Sequence, residues 1–139
     1  MAQFIPVEPF DIVIFGGTGD LSRRNLLPAL FHRFLDDQIS TESRIIGSAR
    51  TDMDRDAFRS FAKEACQAAA GDSWDEGNWA AFAALLDYQT MDATAADADW
   101  DGLAGKLETD TERPCVFYLA TAPRLYVPVC ERLGQAGLN

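Results

Sequence analysis

The sequence predicts an α/β domain built on a doubly wound parallel sheet, and three observations carry that reading. The apolar run Ile12-Val13-Ile14-Phe15 passes directly into a glycine turn, Gly16-Gly17-Thr18-Gly19, after which helical periodicity begins. Along the chain, strand-like and helix-like patterns alternate in the order β-α-β-α-α-β-α-β-α, the pattern of a parallel sheet with right-handed crossovers. The first strand is almost continuously apolar, which suits a central strand covered by helices on both faces.

Taken in order, residues 1–9 form an irregular lead-in with Pro6 and Pro9 as breakers, and residues 10–15 form the first strand. Residues 22–35 place Leu27, Leu30, Phe31 and Phe34 on the i, i+3, i+4, i+7 stripe of an amphipathic helix. Pro28 interrupts that stripe, so a kink near Asn25 or a restart of the helix is expected. A second strand spans residues 44–49, followed by a helix over 54–70 with Thr51, Asp52 and Asp54 as cap candidates and a stop at Gly71-Asp72. A helix over 74–86 carries Trp79, Phe82, Ala83 and Leu86 inward. A short strand at 87–91 ends at Asp92, and residues 97–107 form a small helix or an irregular connection. Residues 114–120 are a strong strand, and a helix over 124–135 turns Leu125, Val129 and Leu133 inward before Gly134 and Gly137. Strand order 3-2-1-4 places the glycine turn beside the end of the fourth strand, at the switch point where ligands bind.

Length and composition agree with one globular domain spanning residues 1–139: 47% of residues are hydrophobic and 24% charged. No apolar run approaches the ~18–20 residues of a membrane span, and residues 1–9 lack the pattern of a secretory signal. The three cysteines, Cys66, Cys115 and Cys130, are odd in number and widely spaced, so no disulfide framework and no metal site can be drawn from them. Their apolar neighbours suggest buried free thiols in a reducing, cytoplasmic setting. The net charge of −10 is unevenly placed: residues 1–50 carry −1, residues 51–112 carry −11 and residues 113–139 carry +2. The acidic middle reads as a solvated face. The two segments that hold the glycine turn and the last strand leave room for an anionic ligand. A nucleic-acid partner is disfavoured, because no basic stripe is present to neutralise a phosphate backbone.

The glycine turn has the chemistry of a dinucleotide phosphate site, with a tight structural turn as the alternative. Gly16 turns the chain sharply out of the strand, where a positive φ costs glycine little. Gly19 would let the backbone approach a pyrophosphate, and amides near Gly17, Thr18 and Leu21 would face it at the helix N-terminus. The register is G-x-x-G-x-x-S, with Ser22 at the third small position. Asp20 would repel a pyrophosphate, so its side chain is expected to accept bonds from loop amides or from Arg23 and Arg24. A triphosphate loop is excluded, because Leu21 and Ser22 stand where that motif requires Gly and Lys. At the end of the second strand, where an acidic residue reads a free ribose 2′-hydroxyl, the chain has Arg50, flanked by Ser48 and Thr51 as donors. An arginine there suits a 2′-phosphate, and hence NADP; the alternative is a surface arginine pairing with Asp52 or Asp54.

The run Ile14-Phe15-Gly16-Gly17-Thr18-Gly19-Asp20-Leu21-Ser22-Arg23-Arg24-Asn25-Leu26-Leu27-Pro28-Ala29-Leu30 resembles the G-x-x-G-D-L opening and the Pro-containing helix of glucose-6-phosphate dehydrogenases. Ile46-Gly47-Ser48-Ala49-Arg50 is similar to that family's G-x-(A/S)-R segment, and Phe117 to Tyr126 is similar to its F-Y-L-A-x-P-P-x-x-Y segment. The resemblance implies a Rossmann-like fold truncated after about four strands. It implies NADP on Gly16, Gly17, Thr18, Gly19, Asp20, Leu21, Ser22 and Arg23, with Arg50 at the adenosine phosphate. By the same resemblance Asp92 and Ala93 lie near the adenine, and Ala120, Thr121 and Tyr126 flank the nicotinamide half. Ser22 and Ala122 depart from the family pattern.

The family's substrate motif and catalytic histidine are not among these 139 residues, and His32 reads as a surface residue, so no catalytic residue is assigned. The resemblance therefore implies the cofactor-binding part of an oxidoreductase that oxidises glucose 6-phosphate, inactive by itself, with the substrate domain absent from this chain. Short-chain dehydrogenases share a G-G-T-G turn but need Y-x-x-x-K; Tyr88, Tyr118 and Tyr126 are followed four residues later by Asp92, Ala122 and Cys130. A stand-alone NADP-sensing module remains the other alternative. Self-association is expected through the exposed edge of the fourth strand.

Overall fold

The computed structural model describes residues 8–95, 97–107 and 113–136; most of the expected lead-in and the stop at Gly137 lie outside the described residues. Four strands, β1 (Asp11–Phe15), β2 (Arg44–Ala49), β3 (Leu86–Thr90) and β4 (Cys115–Leu119), form one parallel sheet in the order β3-β2-β1-β4. In register, Phe15 lies opposite Ser48 on one side and Leu119 on the other, so the C-terminal ends of the three strands align.

Side chains alternate across a strand, and this divides the core into two layers. Ile12 and Ile14 face α1 (Leu27–Leu35), α2 (Arg55–Ala70) and α3 (Glu76–Ala83), meeting Leu27, Phe31, Phe58 and Phe82. Val13 and Phe15 face the opposite way, onto α4 (Trp100–Ala104) and α5 (Tyr126–Gln135), where Leu103, Val129 and Leu133 are buried. Helices on both faces are what the continuous apolar run of β1 requires, since all five of its residues are buried. The first of them, Asp11, is 1% exposed and its carboxylate accepts a hydrogen bond from Arg113 Nη1 at 3.0 Å.

Several boundaries differ from the periodicity, each for a physical reason. The expected disturbance near Asn25 is one π-helical turn, Ser22–Leu26, in which the Leu27 amide donates to the Ser22 carbonyl. Pro28 has no amide and its ring would press on the carbonyl four residues back, so the widened turn carries the chain around it before α1 begins. The helix over 54–70 starts at Arg55, because Asp54 is its cap: the carboxylate accepts from the Ala57 amide at 2.8 Å. Gly71, at φ +56°, ends it. The third helix ends at Ala83 and not at residue 86; the apolar Leu86 that suggested a longer helix is the first residue of β3, where it is equally buried. The expected connection over 97–107 contains only the short α4, capped by Asp99. The last helix begins at Tyr126, after a 3₁₀ turn over Pro123–Leu125.

The cysteines correct an expectation. Cys66 is buried as expected, but Cys115 and Cys130 are exposed. Cys115 belongs to β4, the outer strand of the sheet, whose Val116 and Tyr118 are 45% and 38% exposed. Apolar sequence neighbours cannot reveal that a strand lies at an edge. Among the described residues no helix is long and apolar enough to cross a membrane, and no cluster of His, Cys, Asp and Glu is placed to hold a metal ion.

Burial in α2 pushes the Cys66 thiol up to about 12. At pH 8 it is therefore protonated and shielded, and thiol-reactive dye should label it only after unfolding. Mass-spectrometric mapping of labelled peptides checks this: native labelling of Cys66 at the rate of Cys130 would contradict the packing.

Candidate nucleotide-binding site

The turn after β1 is shaped by two strands beyond its own. Gly16 adopts φ +80°, and a Cβ at this position would lie 2.5 Å from the carbonyl oxygen of Ala120. Only glycine combines that backbone conformation with that approach. The Ser48 carbonyl at the end of β2 accepts from both the Gly16 amide (2.8 Å) and the Gly17 amide (3.1 Å), and the Gly19 amide donates to Gly16. The Gly17 amide, expected to face a phosphate, is therefore occupied by the sheet. The amides of Thr18, Asp20, Leu21 and Ser22 have no acceptor among the described residues, and they cluster where the turn enters the helix. Such amides, with the helix behind them, form an anion site.

Asp20 does what its position demands. Its Oδ1 accepts from Arg23 Nη2 at 3.0 Å and lies 3.2 Å from Arg24 Nε. The hydrogen bond from Arg23, with both guanidinium charges nearby, holds its carboxyl below the usual carboxylate range. The carboxylate is thereby turned to its own helix, where Arg23 and Arg24 share it.

A cleft of about 610 Å³ opens over the C-terminal ends of β1, β2 and β4, a size typical of small-molecule sites. Of the residues expected at the site it is lined by Gly16, Thr18, Gly19, Arg50, Asp92, Ala93 and Thr121. Gly17, Asp20, Leu21, Ser22, Arg23, Ala120 and Tyr126 do not line it. Gly17 and Ser22 are buried behind the turn, while Asp20, Leu21, Arg23 and Tyr126 are exposed outside it.

The segment that carries Arg50 is held from β3. The Tyr88 hydroxyl donates to the Thr51 carbonyl at 2.7 Å, and the Met53 amide donates to Thr90 Oγ1 at 3.3 Å. Burial, with Asp52 nearby, pushes the Tyr88 phenol up to about 12, so it stays a donor. Thr18 Oγ1 and Thr51 Oγ1 lie 3.2 Å apart and join the loops after β1 and β2. Arg50 makes no ion pair with Asp52 or Asp54, and its guanidinium has no hydrogen-bond partner among the described residues. Asp92 accepts from both the Thr94 hydroxyl (2.7 Å) and amide (3.0 Å). Those two bonds, with Arg50 nearby, lower its pKa, so it shapes the loop after β3 as a carboxylate.

Sequence reasoning did not assign Met91, Thr94, Arg124, Leu125 and Val129 to the lining. Arg124 and Leu125 were within reach, because the residues after the C-terminal end of β4 border the switch point. Met91, Thr94 and Val129 enter through packing that no local pattern reveals. Two buried hydroxyls of the lining residues, Ser48 Oγ and Thr121 Oγ1, have no partner among the described residues. The Thr18 amide and the Arg50 guanidinium, on one cleft and without acceptors among the described residues, are donors suited to a phosphorylated ligand.

A parallel doubly wound sheet with such a cleft at its switch point defines the class: an α/β nucleotide-binding domain. The particular family emerges from comparison with known proteins. Residues 13–139 match the model of the family described as glucose-6-phosphate dehydrogenase, NAD binding domain. The chain is 44% identical over 137 residues to the glucose-6-phosphate 1-dehydrogenase of Gluconobacter oxydans, covering 97% of this chain and 28% of that protein. It is 40% identical over 133 residues to that of Rhizobium meliloti, covering 95% and 27%. Among solved structures, glucose-6-phosphate 1-dehydrogenase from Mycobacterium avium superposes with a TM-score of 0.82 at 32% identity, over 94% of this chain and 27% of that one. A glucose-6-phosphate dehydrogenase in complex with glucose 6-phosphate shares the fold at TM-score 0.81. The chain belongs to the glucose-6-phosphate dehydrogenase family and corresponds to its nucleotide-binding domain, spanning just over a quarter of the length of these relatives.

The turn geometry yields a direct test. Gly16→Ala would force a Cβ onto the Ala120 carbonyl at an unfavourable φ, at a cost of about 1–3 kcal/mol. Urea denaturation should show that loss, and nucleotide affinity should fall with it; wild-type stability would contradict the described turn.

Proposed function

We propose that this chain binds NADP and serves as the cofactor-binding part of a dehydrogenase that oxidises glucose 6-phosphate. The single observation that carries the cofactor choice is Arg50, an unpaired guanidinium in the cleft at the end of the strand that contacts the adenosine half in this class of fold. An arginine there complements a 2′-phosphate by charge and by its planar fork of donors. Ser48, Thr51 and Thr18 add hydroxyls on the same side. Asp20 is turned to Arg23 outside the lining, and the Asp92 carboxylate, bonded to Thr94, lies near Arg50 within it.

When bound, the nicotinamide of NADP accepts a hydride. The residues after β4, including Thr121 and Ala122, form the wall on that side of the cleft. The amides of Thr18, Asp20, Leu21 and Ser22 support a place for the pyrophosphate between the two halves. Tyr126 stands just outside the lining at the start of α5, within the same loop–helix unit as Thr121. His32, the one histidine, is exposed beside Asp36 (3.4 Å) and does not line the cleft. The names of the relatives support this reading of substrate and reaction, and they do not favour a non-catalytic NADP sensor.

Calorimetric titration with NADP and with NAD tests the reading. Wild type should prefer NADP, and Arg50→Ala should weaken NADP about 10- to 100-fold, as for a lost charge-assisted contact, while leaving NAD little changed. An unchanged NADP affinity in that variant, together with no preference in the wild type, overturns it.

The 139-residue chain by itself should also pair with a second copy along the backbone edge of β4, a strand whose Val116 and Tyr118 are exposed. Sedimentation over a range of concentrations should show dimer formation that Val116→Lys reduces; a strict monomer throughout would refute the pairing.

A further inference from the structure

The cations of this chain are almost all committed. Arg23 and Arg24 face Asp20, Lys63 faces Glu76, Lys106 faces Asp87 and Arg113 faces Asp11, while Arg33, Arg44, Arg59 and Arg132 donate to oxygens of the chain. Among the described residues only Arg50, Arg55 and Arg124 have no hydrogen-bond or ion-pair partner. Two of those three line the same cleft. In a chain of net charge −10, with acidic side chains nearly twice as numerous as basic ones, two unpaired arginines on one cavity suit it to an anionic ligand.

Their placement assigns them different parts of that ligand. Arg50 follows β2 and Arg124 follows β4, and β1 with its glycine turn lies between them. At a strand spacing of about 4.8 Å the two walls stand roughly 10 Å apart. A dinucleotide laid across these strand ends puts one nucleoside on each side and its pyrophosphate over the turn between. The pyrophosphate carries two negative charges. The four unaccepted amides offer it only partial charge, and Arg23 and Arg24 are held by Asp20. Arg23 and Arg24 do not line the cleft, and of the two arginines that do, Arg50 stands on the adenosine side, which leaves Arg124 to meet it. Its backbone is already fixed at the cleft wall, because Pro123 opens a 3₁₀ turn in which the Leu125 amide donates to the Ala122 carbonyl at 2.9 Å.

We infer that Arg124 is a second cationic contact to the dinucleotide, made to its pyrophosphate and therefore shared by NADP and NAD, whereas Arg50 discriminates between them. The inference rests on the proposed dinucleotide site, and one set of titrations separates the two. The wild type and Arg50→Ala decide whether NADP is the preferred ligand. Arg124→Ala decides the second contact.

Arg124 is exposed, so its removal should leave the fold intact, which circular dichroism checks. By calorimetry, Arg124→Ala should raise the Kd for NADP and for NAD by a similar factor of about ten, leaving their ratio at the wild-type value. Arg132→Ala, on α5 and already bonded to Gln135, should change neither. Unchanged Kd values in Arg124→Ala would overturn the inference, as they would if this arginine served the sugar phosphate instead. A loss confined to NADP would overturn it by making Arg124 another 2′-phosphate ligand. An equal loss in Arg132→Ala would overturn it by reducing the effect to net charge.

Discussion

The carbonyl oxygen of Ser48 is the point on which the site depends. By accepting both the Gly16 and Gly17 amides it ties the end of β1 to the end of β2 and forces the chain to turn there. The turn has no room for any residue but glycine at position 16, because the Ala120 carbonyl of the β4 loop closes the other side. Three strands thus share one constraint at their C-terminal ends. The amides of Thr18, Asp20, Leu21 and Ser22 are left without acceptors among the described residues by the same arrangement, since the sheet uses those of Gly16 and Gly17 and the helix has not yet begun to supply carbonyls.

Packing beneath that point keeps the constraint rigid. Gly47 lies in the centre of β2, where a Cβ would stand 2.4 Å from the Phe58 ring, so its absence lets α2 close on the sheet. Phe58 in turn packs on Tyr88 at 5.2 Å between ring centroids, and the Tyr88 hydroxyl holds the Thr51 carbonyl. An aromatic chain therefore runs from the core to the loop that presents Arg50. Charge follows the same economy. The Asp20 carboxylate is held by its own helix outside the cleft, while Asp92, bonded to Thr94, keeps its charge near Arg50; two arginines against one carboxylate leave the lining net positive.

Much of this was legible in the chain itself. The continuous apolar run of β1, the glycine turn and the alternation of periods specify a parallel doubly wound sheet, because few other arrangements bury such strands on both faces. Asp20 among arginines foretold its own pairing, since an unpaired carboxylate could not sit beside an anion site. Pro28 announced a disturbed helix, though not the π-helical form that it takes. Local pattern failed where burial was ambiguous. Leu86 suits the apolar stripe of a helix as well as the start of a strand, and hydrogen bonding of β3 to β2 decides between them. Cys115 and Cys130 have apolar neighbours, yet both are exposed, because strand position within the sheet is not a local property.

By itself the sequence determined the fold class, the turn that faces a ligand and the residue type at the end of β2, all of them consequences of backbone chemistry acting over a few residues. Only the tertiary structure decided which side chains share the cleft. Arg124 lies 74 positions from Arg50 in the chain. The parallel order β3-β2-β1-β4 brings both to one rim, and the ion pairs formed elsewhere leave these two without partners among the described residues. Whether a charge is free depends on everything folded around it, and that cannot be read from the residue alone.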